Sequence, residues 1–406
     1  MDEFATDFLI IGGGILGISI ANELKRMNEN SNVCIMEKEK RVGMHTSGRN
    51  SGILHAGIYY EPNTLKASIC TEGARLLKVW IEKRRLPINK CGKLIVCQDE
   101  RLEDQLLVLK NRAEMNGAIV RLINKKECKE IGGDVRTTCA GALWSPYTAN
   151  TNAKLVTEEM ANESKSMGIK ILTDIEAKEI QKDAKGYIVS NMKGVRVKAN
   201  YIVNCAGLHA EKIAKLEGIG SEYILLPFKG LYWKLRKGIN IKVNCNIYPV
   251  PDLRMPFLGV HLSPNVNGEE IYVGPTATPA WGRENYYGFK NTERDITINM
   301  ATILTSMYIQ NKNGVRNYGN EQMLLYMKGL LAKEVRKICP LIEKRDLIMS
   351  DKVGIRPQLY NTISKKLESD FIYEKTNHSF HILNSISPAF TSCLKLAQYI
   401  VQIINE

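Results

Sequence analysis

No stretch of this 406-residue chain reaches the roughly 18 uninterrupted apolar residues that a membrane-spanning helix needs. The best candidate, residues 8–21, is short and broken by glycines. The N-terminus has no basic segment and runs directly into strand-like sequence, so no secretory signal is expected. The ten cysteines contain no Cys-x-x-Cys pair; only Cys91 and Cys97 lie close, and no histidines flank them at zinc spacing. They read as reduced thiols of an intracellular, cytoplasmic protein. Histidine is sparse, at six, and His378 and His381 are not an i, i+4 pair, so no metal is expected. Internal repeats and low-complexity tracts are absent. The net charge of +13 is not accompanied by the aromatic–basic interleaving of nucleic-acid grooves, so no nucleic-acid partner is expected. The excess reads as lysine-rich solvated faces; attraction for acidic substrates or for the inner face of an anionic membrane stays open.

What is present is the composition of a folded protein, 44% hydrophobic and 24% charged, in a chain long enough for two domains. Its most informative segment begins with the apolar run Asp7-Phe8-Leu9-Ile10-Ile11. Gly12-Gly13-Gly14-Ile15-Leu16-Gly17 follows, then Leu16, Ile20 and Leu24 at helical spacing, then Val33-Cys34-Ile35-Met36 closed by Glu37. Strand, Gly-x-Gly-x-x-Gly turn, helix, strand, acid is the dinucleotide-binding fingerprint in its proper context. Gly12 permits the tight turn, Gly14 lets backbone approach a pyrophosphate, and Gly17 lets the helix pack closely on the sheet. The anion then lies at a helix N-terminus. Glu37 can accept from ribose hydroxyls and would repel a 2′-phosphate, which disfavours NADP.

Further along, periodicity predicts helices over Leu65–Arg84, Arg101–Gly117, Leu155–Met167 and Thr391–Ile404, and a charged amphipathic helical stretch over Glu321–Ile338. Strand-like runs are Gly92–Val96, Ile169–Leu172, Tyr187–Val189, Val195–Val197, Tyr201–Cys205, Gly230–Leu235, residues 257–262, Ile271–Val273 and Phe380–Leu383. Tyr201–Cys205 ends in a tight turn at Gly207, so a nucleotide-binding unit resumes there after an excursion. The expected organisation is a nucleotide-binding domain over 1–89, 151–222 and 345–406, interleaved with a second domain over 90–150 and 223–344.

One segment, Ser47-Gly48-Arg49-Asn50-Ser51-Gly52-Ile53-Leu54-His55-Ala56-Gly57-Ile58-Tyr59-Tyr60, continues into Leu65-Lys66-Ala67. Others are Pro227-Phe228-Lys229-Gly230-Leu231-Tyr232, Pro256-Phe257-Leu258-Gly259-Val260-His261, Gly354-Ile355-Arg356-Pro357-Gln358, and His381 to Asn384 through Ser387-Pro388-Ala389. In this order they resemble the FAD-dependent oxidoreductases of the D-amino-acid oxidase superfamily, and within it most closely the L-2-hydroxyglutarate dehydrogenases, also called oxidases. The chain departs from that pattern at Arg49, usually His, at Lys229, usually Arg, and at Arg254-Met255, where His-Leu is common. The resemblance implies an α/β plus α+β fold, a Rossmann-like FAD-binding domain interleaved with a β-rich substrate domain, and non-covalent FAD. It implies pyrophosphate on Gly12, Gly14 and Gly17, adenosine ribose on Glu37, and cofactor contacts from Ser47, Ser51, Gly207, Gly354 and Ser387. Single serines of this kind also serve as ordinary turn and capping residues.

The implied reaction is oxidation of a small 2-hydroxy acid, with L-2-hydroxyglutarate first, electrons leaving to a quinone, another acceptor or oxygen. Alternatives are an amino-acid or amine oxidase, a glycerol-3-phosphate dehydrogenase, or, in another class, a non-enzymatic basic flavoprotein binding nucleic acid. Arg356 offers a planar fork that matches a carboxylate and keeps its charge. A histidine suits removal of the hydroxyl proton. His55 is the expected base and His261 a substrate or flavin contact, although each could be a hydrogen-bonded core residue or the roles could be exchanged. Arg49, Tyr60, Lys66 and Lys229 are candidates for a distal carboxylate.

Overall fold

The computed structural model describes residues 3–192, 194–253 and 258–406. Its first sheet is built around the strand Glu3–Ile11, which runs parallel to Val33–Met36 on one side and to Arg196–Asn204 on the other. Lys170–Leu172 and Ser379–Asn384 extend the parallel array, while Gly186–Ser190 and Glu179–Asp183 add an antiparallel edge. A parallel sheet must be covered on both faces, and strand alternation divides the apolar residues accordingly. Ile10, Ile35 and Val203 pack with the helices Ile15–Met27, Ala153–Ser166 and Ala389–Asn405. Leu9, Ile11, Met36 and Ile202 face the opposite way, against Val189, Val197 and Ile213.

The second sheet centres on two long strands, Tyr223–Leu235 and Leu347–Asn361, paired antiparallel from Tyr223↔Asn361 to Leu235↔Leu347 with an irregularity at Leu231/Trp233. Beyond them follow Ile271–Gly274, His261–Pro264, Asn246–Pro249, Lys93–Val96, Ala142–Ser145 and Arg121–Ile123. A small sheet of Ile53–Leu54, Ala149–Thr151 and Ile88–Asn89 lies between in sequence, carrying the chain from one unit to the other.

Several expectations change in detail. Val195–Val197 and the run from Tyr201 are one strand, Arg196–Asn204. Leu347–Asn361 pairs with the second sheet, although the expected boundary at 345 gave it to the nucleotide-binding unit. The run expected over 257–262 becomes His261–Pro264, its first residue lying outside the described residues, as do Arg254, Met255 and Pro256. The stretch expected to be one helix over Glu321–Ile338 is two, Val315–Leu324 and Lys328–Val335. Between them Tyr326 donates to Thr278 Oγ1 at 3.0 Å, and Met327 takes an extended conformation that ends the helical path. The helix Arg294–Gln310 was not expected: it is rich in Ile and Thr, and only Ile296 and Met300 are buried, so no apolar stripe marks it.

Candidate active site

The fingerprint loop folds as its glycines require. Gly12 has φ +113°, and a Cβ there would lie 2.5 Å from Cys205 O. At Gly17 a Cβ would fall 2.2 Å from Gly12 O, so helix and turn touch backbone to backbone. Gly14 differs: its added Cβ would meet only Ser47 Oγ, at 3.0 Å, and otherwise points into open space. Ser47 Oγ accepts from Ile15 N at 2.9 Å, satisfying one of the amides a helix N-terminus leaves unpaired. Glu37 is buried and held by Gly13 N at 2.7 Å and Glu39 N at 2.8 Å, one donor on each oxygen. Each oxygen keeps a lone pair for another donor. Burial raises the Glu37 pKa despite these bonds.

From this loop a continuous cleft of about 390 Å³ runs between the two sheets. Gly12, Gly14, Glu37, Ser47, Arg49, Ser51, His55, Gly207, Gly354, Arg356 and Ser387 all line it. Gly17 lies beneath the turn, fully occupied in helix packing. Gly207 (φ +56°) carries the chain along the wall with nothing within 4 Å of a would-be Cβ. At Gly354 the reason is a close approach: a Cβ would sit 2.9 Å from Arg49 O. The terminal helix starts at Ala389, and its first turn through Thr391 faces the cleft. An elongated anionic cofactor with a polar ring system suits this shape: glycine cradle and helix end for its phosphates, acid for its ribose, a second helix end for its ring.

Ionisable residues gather around His55 and Arg356, although Tyr60 and Lys66 do not themselves line the cleft. The His55 ring lines the cleft, its backbone N–H donates to Thr391 Oγ1 at 3.2 Å, and its Nδ1 is buried with no hydrogen-bond partner among the described residues. Burial first, then the charges of Lys93, His261 and Arg356, hold its pKa well below the ordinary value, so the imidazole is neutral. Tyr60 hydrogen-bonds Ser387 and faces Arg356 electrostatically. Lys66 Nζ lies 5.8 Å from the Tyr60 ring; burial, then Arg356, brings its pKa down to about 7, against the pull of Asp370.

His261 lies behind the cleft wall. Its ring stacks on Tyr248 at 3.7 Å between centroids and 13° between planes, and Nδ1 donates to Gly259 O at 3.0 Å. Burial, reinforced by Lys93 and Lys352, lowers its pKa to about 3. Two expected substrate residues are not brought to this cluster. Lys229 donates to Asn285 Oδ1 at 3.0 Å and does not line the cleft, whereas Phe228 and Gly230 do. Alternation along the strand turns its side chain away. Arg49 donates to Met44 O at 2.9 Å and stacks over Tyr286 at 4.1 Å.

Two further lysines, outside every motif of the sequence, bear on the site. Lys352, in the strand after Asp351, lies over the rings of Tyr232 and Tyr272 and donates to Ser51 O at 3.3 Å; burial lowers its pKa to about 8. Lys93 is fully buried. A charged residue opening the otherwise apolar run Lys93–Val96 was the available signal.

One other polar cluster borders the cleft. Glu39, His45 and Glu284 offer ligand-type atoms within 4.8 Å of one another. Lys38 Nζ already donates to Glu39 at 2.5 Å and Glu284 at 2.6 Å, and His209 reaches Glu284 at 2.9 Å. Burial opposes, but the bonds from His209 and Lys38 keep the Glu284 carboxyl well below its usual range. The ammonium occupies the place a cation would take.

The profile of the FAD dependent oxidoreductase (DAO) family matches residues 7–403. The mouse mitochondrial L-2-hydroxyglutarate dehydrogenase is 34% identical over 412 residues, covering 97% of this chain and 87% of that protein. The Escherichia coli K12 L-2-hydroxyglutarate dehydrogenase is 32% identical over 398 residues, covering 97% and 92%. Among solved structures, dithionite-reduced L-α-glycerophosphate oxidase from Mycoplasma pneumoniae with FAD bound superposes with a TM-score of 0.77 at 22% identity, covering 99% and 95%. Glycine oxidase from Geobacillus kaustophilus does so with 0.73 at 17%, again covering 99% and 95%.

Proposed function

Because the chain belongs to the FAD-dependent oxidoreductase family, we propose that it oxidises the CH–OH group of a small 2-hydroxy dicarboxylate, L-2-hydroxyglutarate first, to the 2-oxo acid. The observation that carries this reading is that a neutral His55 imidazole and the Arg356 guanidinium line the same cleft, the arginine close enough to act on the histidine's charge. The relatives named for that substrate, matched over 97% of the chain, support it.

The Gly12–Gly17 turn, Glu37 and the first turn of Ala389–Asn405 would hold FAD, which would supply the acceptor for a hydride from the substrate carbon. Arg356 binds the carboxylate next to that carbon and so fixes which hydrogen faces the ring. His55, unprotonated at neutral pH, takes the proton of the substrate's hydroxyl oxygen. Its depressed pKa makes it available in the right form and leaves it a modest base, which suits a proton that departs as hydride leaves. The first turn of the helix Ala389–Asn405 lines the cleft, and its N-terminal amides would favour negative charge on a bound ring. Lys66 and Tyr60, beside Arg356, complete an anion-seeking end. The reading of a non-enzymatic nucleic-acid binder has no support from the family.

The charge excess fits a surface role as well. Ile309, Met323 and Met327 are 68%, 69% and 53% exposed, and Lys312, Arg316 and Lys333 fall in the same stretch of sequence, while Leu331 is buried. Exposed apolar and basic residues of this kind suit the headgroup region of anionic lipid, with a quinone as the acceptor. No helix among the described residues is long and apolar enough to cross a membrane.

Steady-state oxidation with a dye acceptor tests the substrate assignment against a panel: L- and D-2-hydroxyglutarate, lactate, L-glutamate, glycine, L-proline and glycerol 3-phosphate. L-2-Hydroxyglutarate should give the highest kcat/KM, with 2-oxoglutarate as product. A higher value for an amino acid or for glycerol 3-phosphate would replace the reading.

A further inference from the structure

Lys93 is the strangest residue of the second sheet. It opens the strand Lys93–Val96, paired with Asn246 on one side and Ser145 on the other, and its side chain is wholly removed from solvent. Nζ has no hydrogen-bond partner among the described residues. It lies 4.3 Å from the Tyr248 ring centroid and 5.2 Å from that of Tyr59, whose hydroxyl is likewise buried and unpartnered. The ionisable groups that act on it are the thiols of Cys70 and Cys91; no carboxylate does. Tyrosine faces attract a cation by about 1 or 2 kcal/mol, far less than the several kcal/mol that burying an ammonium costs. As a structural element the lysine is therefore a liability, and methionine would fill the same space.

Its position gives the charge a use. Lys93 acts on both His55 and His261, and His55 is also under the influence of Arg356. The positive end formed by Arg356 and Lys66 and the positive charge of Lys93 thus both bear on the base. Lys352, also without a carboxylate acting on it, adds to the excess. We infer that Lys93 is a specificity-determining residue, its buried ammonium supplying the charge that the second carboxylate of a dicarboxylate substrate balances. This rests on the 2-hydroxy dicarboxylate reading and extends it to the residue that separates dianions from monoanions. Lys93 does not itself line the cleft; its Nζ lies over Tyr248, whose other neighbour is the His261 ring behind the cleft wall, and through such low-dielectric packing an uncompensated cation attracts an anion without touching it. The same burial lowers the Lys93 pKa to about 7, so the arriving anion draws a proton onto the amine.

The test uses the flavin-loaded enzyme and two ligand pairs. In turnover, kcat/KM for L-2-hydroxyglutarate is compared with that for L-2-hydroxypentanoate, which lacks only the distal charge. In binding, the flavin absorbance change reports Kd for glutarate and for pentanoate, with no reaction. Wild type should prefer the dianion in both, and Lys93→Met should shrink each preference about fivefold or more, as expected of a through-space attraction in a buried setting. A preference unchanged within twofold in the variant would overturn the inference, as would a wild type that binds pentanoate as tightly as glutarate. Lys93→Gln serves if the methionine variant fails to retain flavin. Should glutarate binding depend on Lys93 while no hydroxy acid is turned over, the charge assignment stands and the reaction falls. Should L-2-hydroxyglutarate be oxidised with a Lys93-independent preference, the reverse holds.

Discussion

Replacing Gly14 with valine separates cofactor binding from folding. Gly14 sits at the N-cap of the helix Ile15–Met27 with φ −80° and ψ 171°, a conformation open to any L-residue. Its new Cβ meets nothing but Ser47 Oγ at 3.0 Å, so the cost to the protein without flavin is about 1 kcal/mol, the worth of the Ser47–Ile15 bond it disturbs. The added methyl groups enter the cleft beside the helix amides, where the proposed placement puts the pyrophosphate. Loss of two charge-assisted bonds at ~1.5–3 kcal/mol each weakens FAD binding roughly 10²- to 10⁴-fold. Gly17→Ala is the contrast: its Cβ would lie 2.2 Å from Gly12 O, and fixed backbone on both sides makes it an overpacking change of ~1–3 kcal/mol or more. Both proteins are stripped of flavin, melted, and titrated with FAD by fluorescence quenching. Gly14→Val should keep the apoprotein Tm near wild type and lose affinity, while Gly17→Ala should lose Tm. A Gly14→Val protein with full flavin occupancy would refute the cofactor placement.

Three further outcomes are expected. Arg356→Lys keeps the charge and loses the fork, so kcat/KM for the 2-hydroxy acid should fall roughly tenfold to a hundredfold or more with flavin content and Tm unchanged; a drop in Tm alone would make the arginine structural. The pH profile follows from the lowered lysines: with pKa values of about 7, 7 and 8, Lys66, Lys93 and Lys352 lose charge as pH rises. The dicarboxylate stays anionic, and burial with its cationic neighbours holds the His55 pKa well below the ordinary value, so kcat/KM should decline as pH rises through 7 and 8; a rise through pH 8 would contradict this. Flotation with vesicles of anionic lipid should carry the protein upward at low salt and lose it at high salt, with Met323→Glu/Met327→Glu abolishing the effect; no flotation at low salt removes the lipid contact.

Legibility followed distance in sequence. The fingerprint from Phe8 to Glu37 was readable because strand, turn, helix and acid are adjacent, and the structure holds all of its parts within one βαβ unit. His55, Ser47 and Arg356 were readable as motif residues, and the cleft brings them together. Lys229 was not, since its face depends on the pairing of Tyr223–Leu235 with Leu347–Asn361, and one step along a strand reverses the side chain. Arg49 was misjudged for a similar reason: the short helix Thr46–Arg49 turns it toward Tyr286, which is contributed by a loop more than 200 residues later. Lys93 meets Tyr248 through a sheet pairing across about 150 residues, and neither sequence segment records it.

The most direct test of the account is a single anaerobic turnover, L-2-hydroxyglutarate mixed with flavin-loaded wild type and with His55→Asn, followed at the flavin absorbance maximum. Wild type should bleach completely with one 2-oxoglutarate formed per flavin, and His55→Asn should reach the same end point about 10²- to 10⁴-fold more slowly. Wild-type flavin that stays oxidised with the hydroxy acid and bleaches with an amino acid or glycerol 3-phosphate would contradict it.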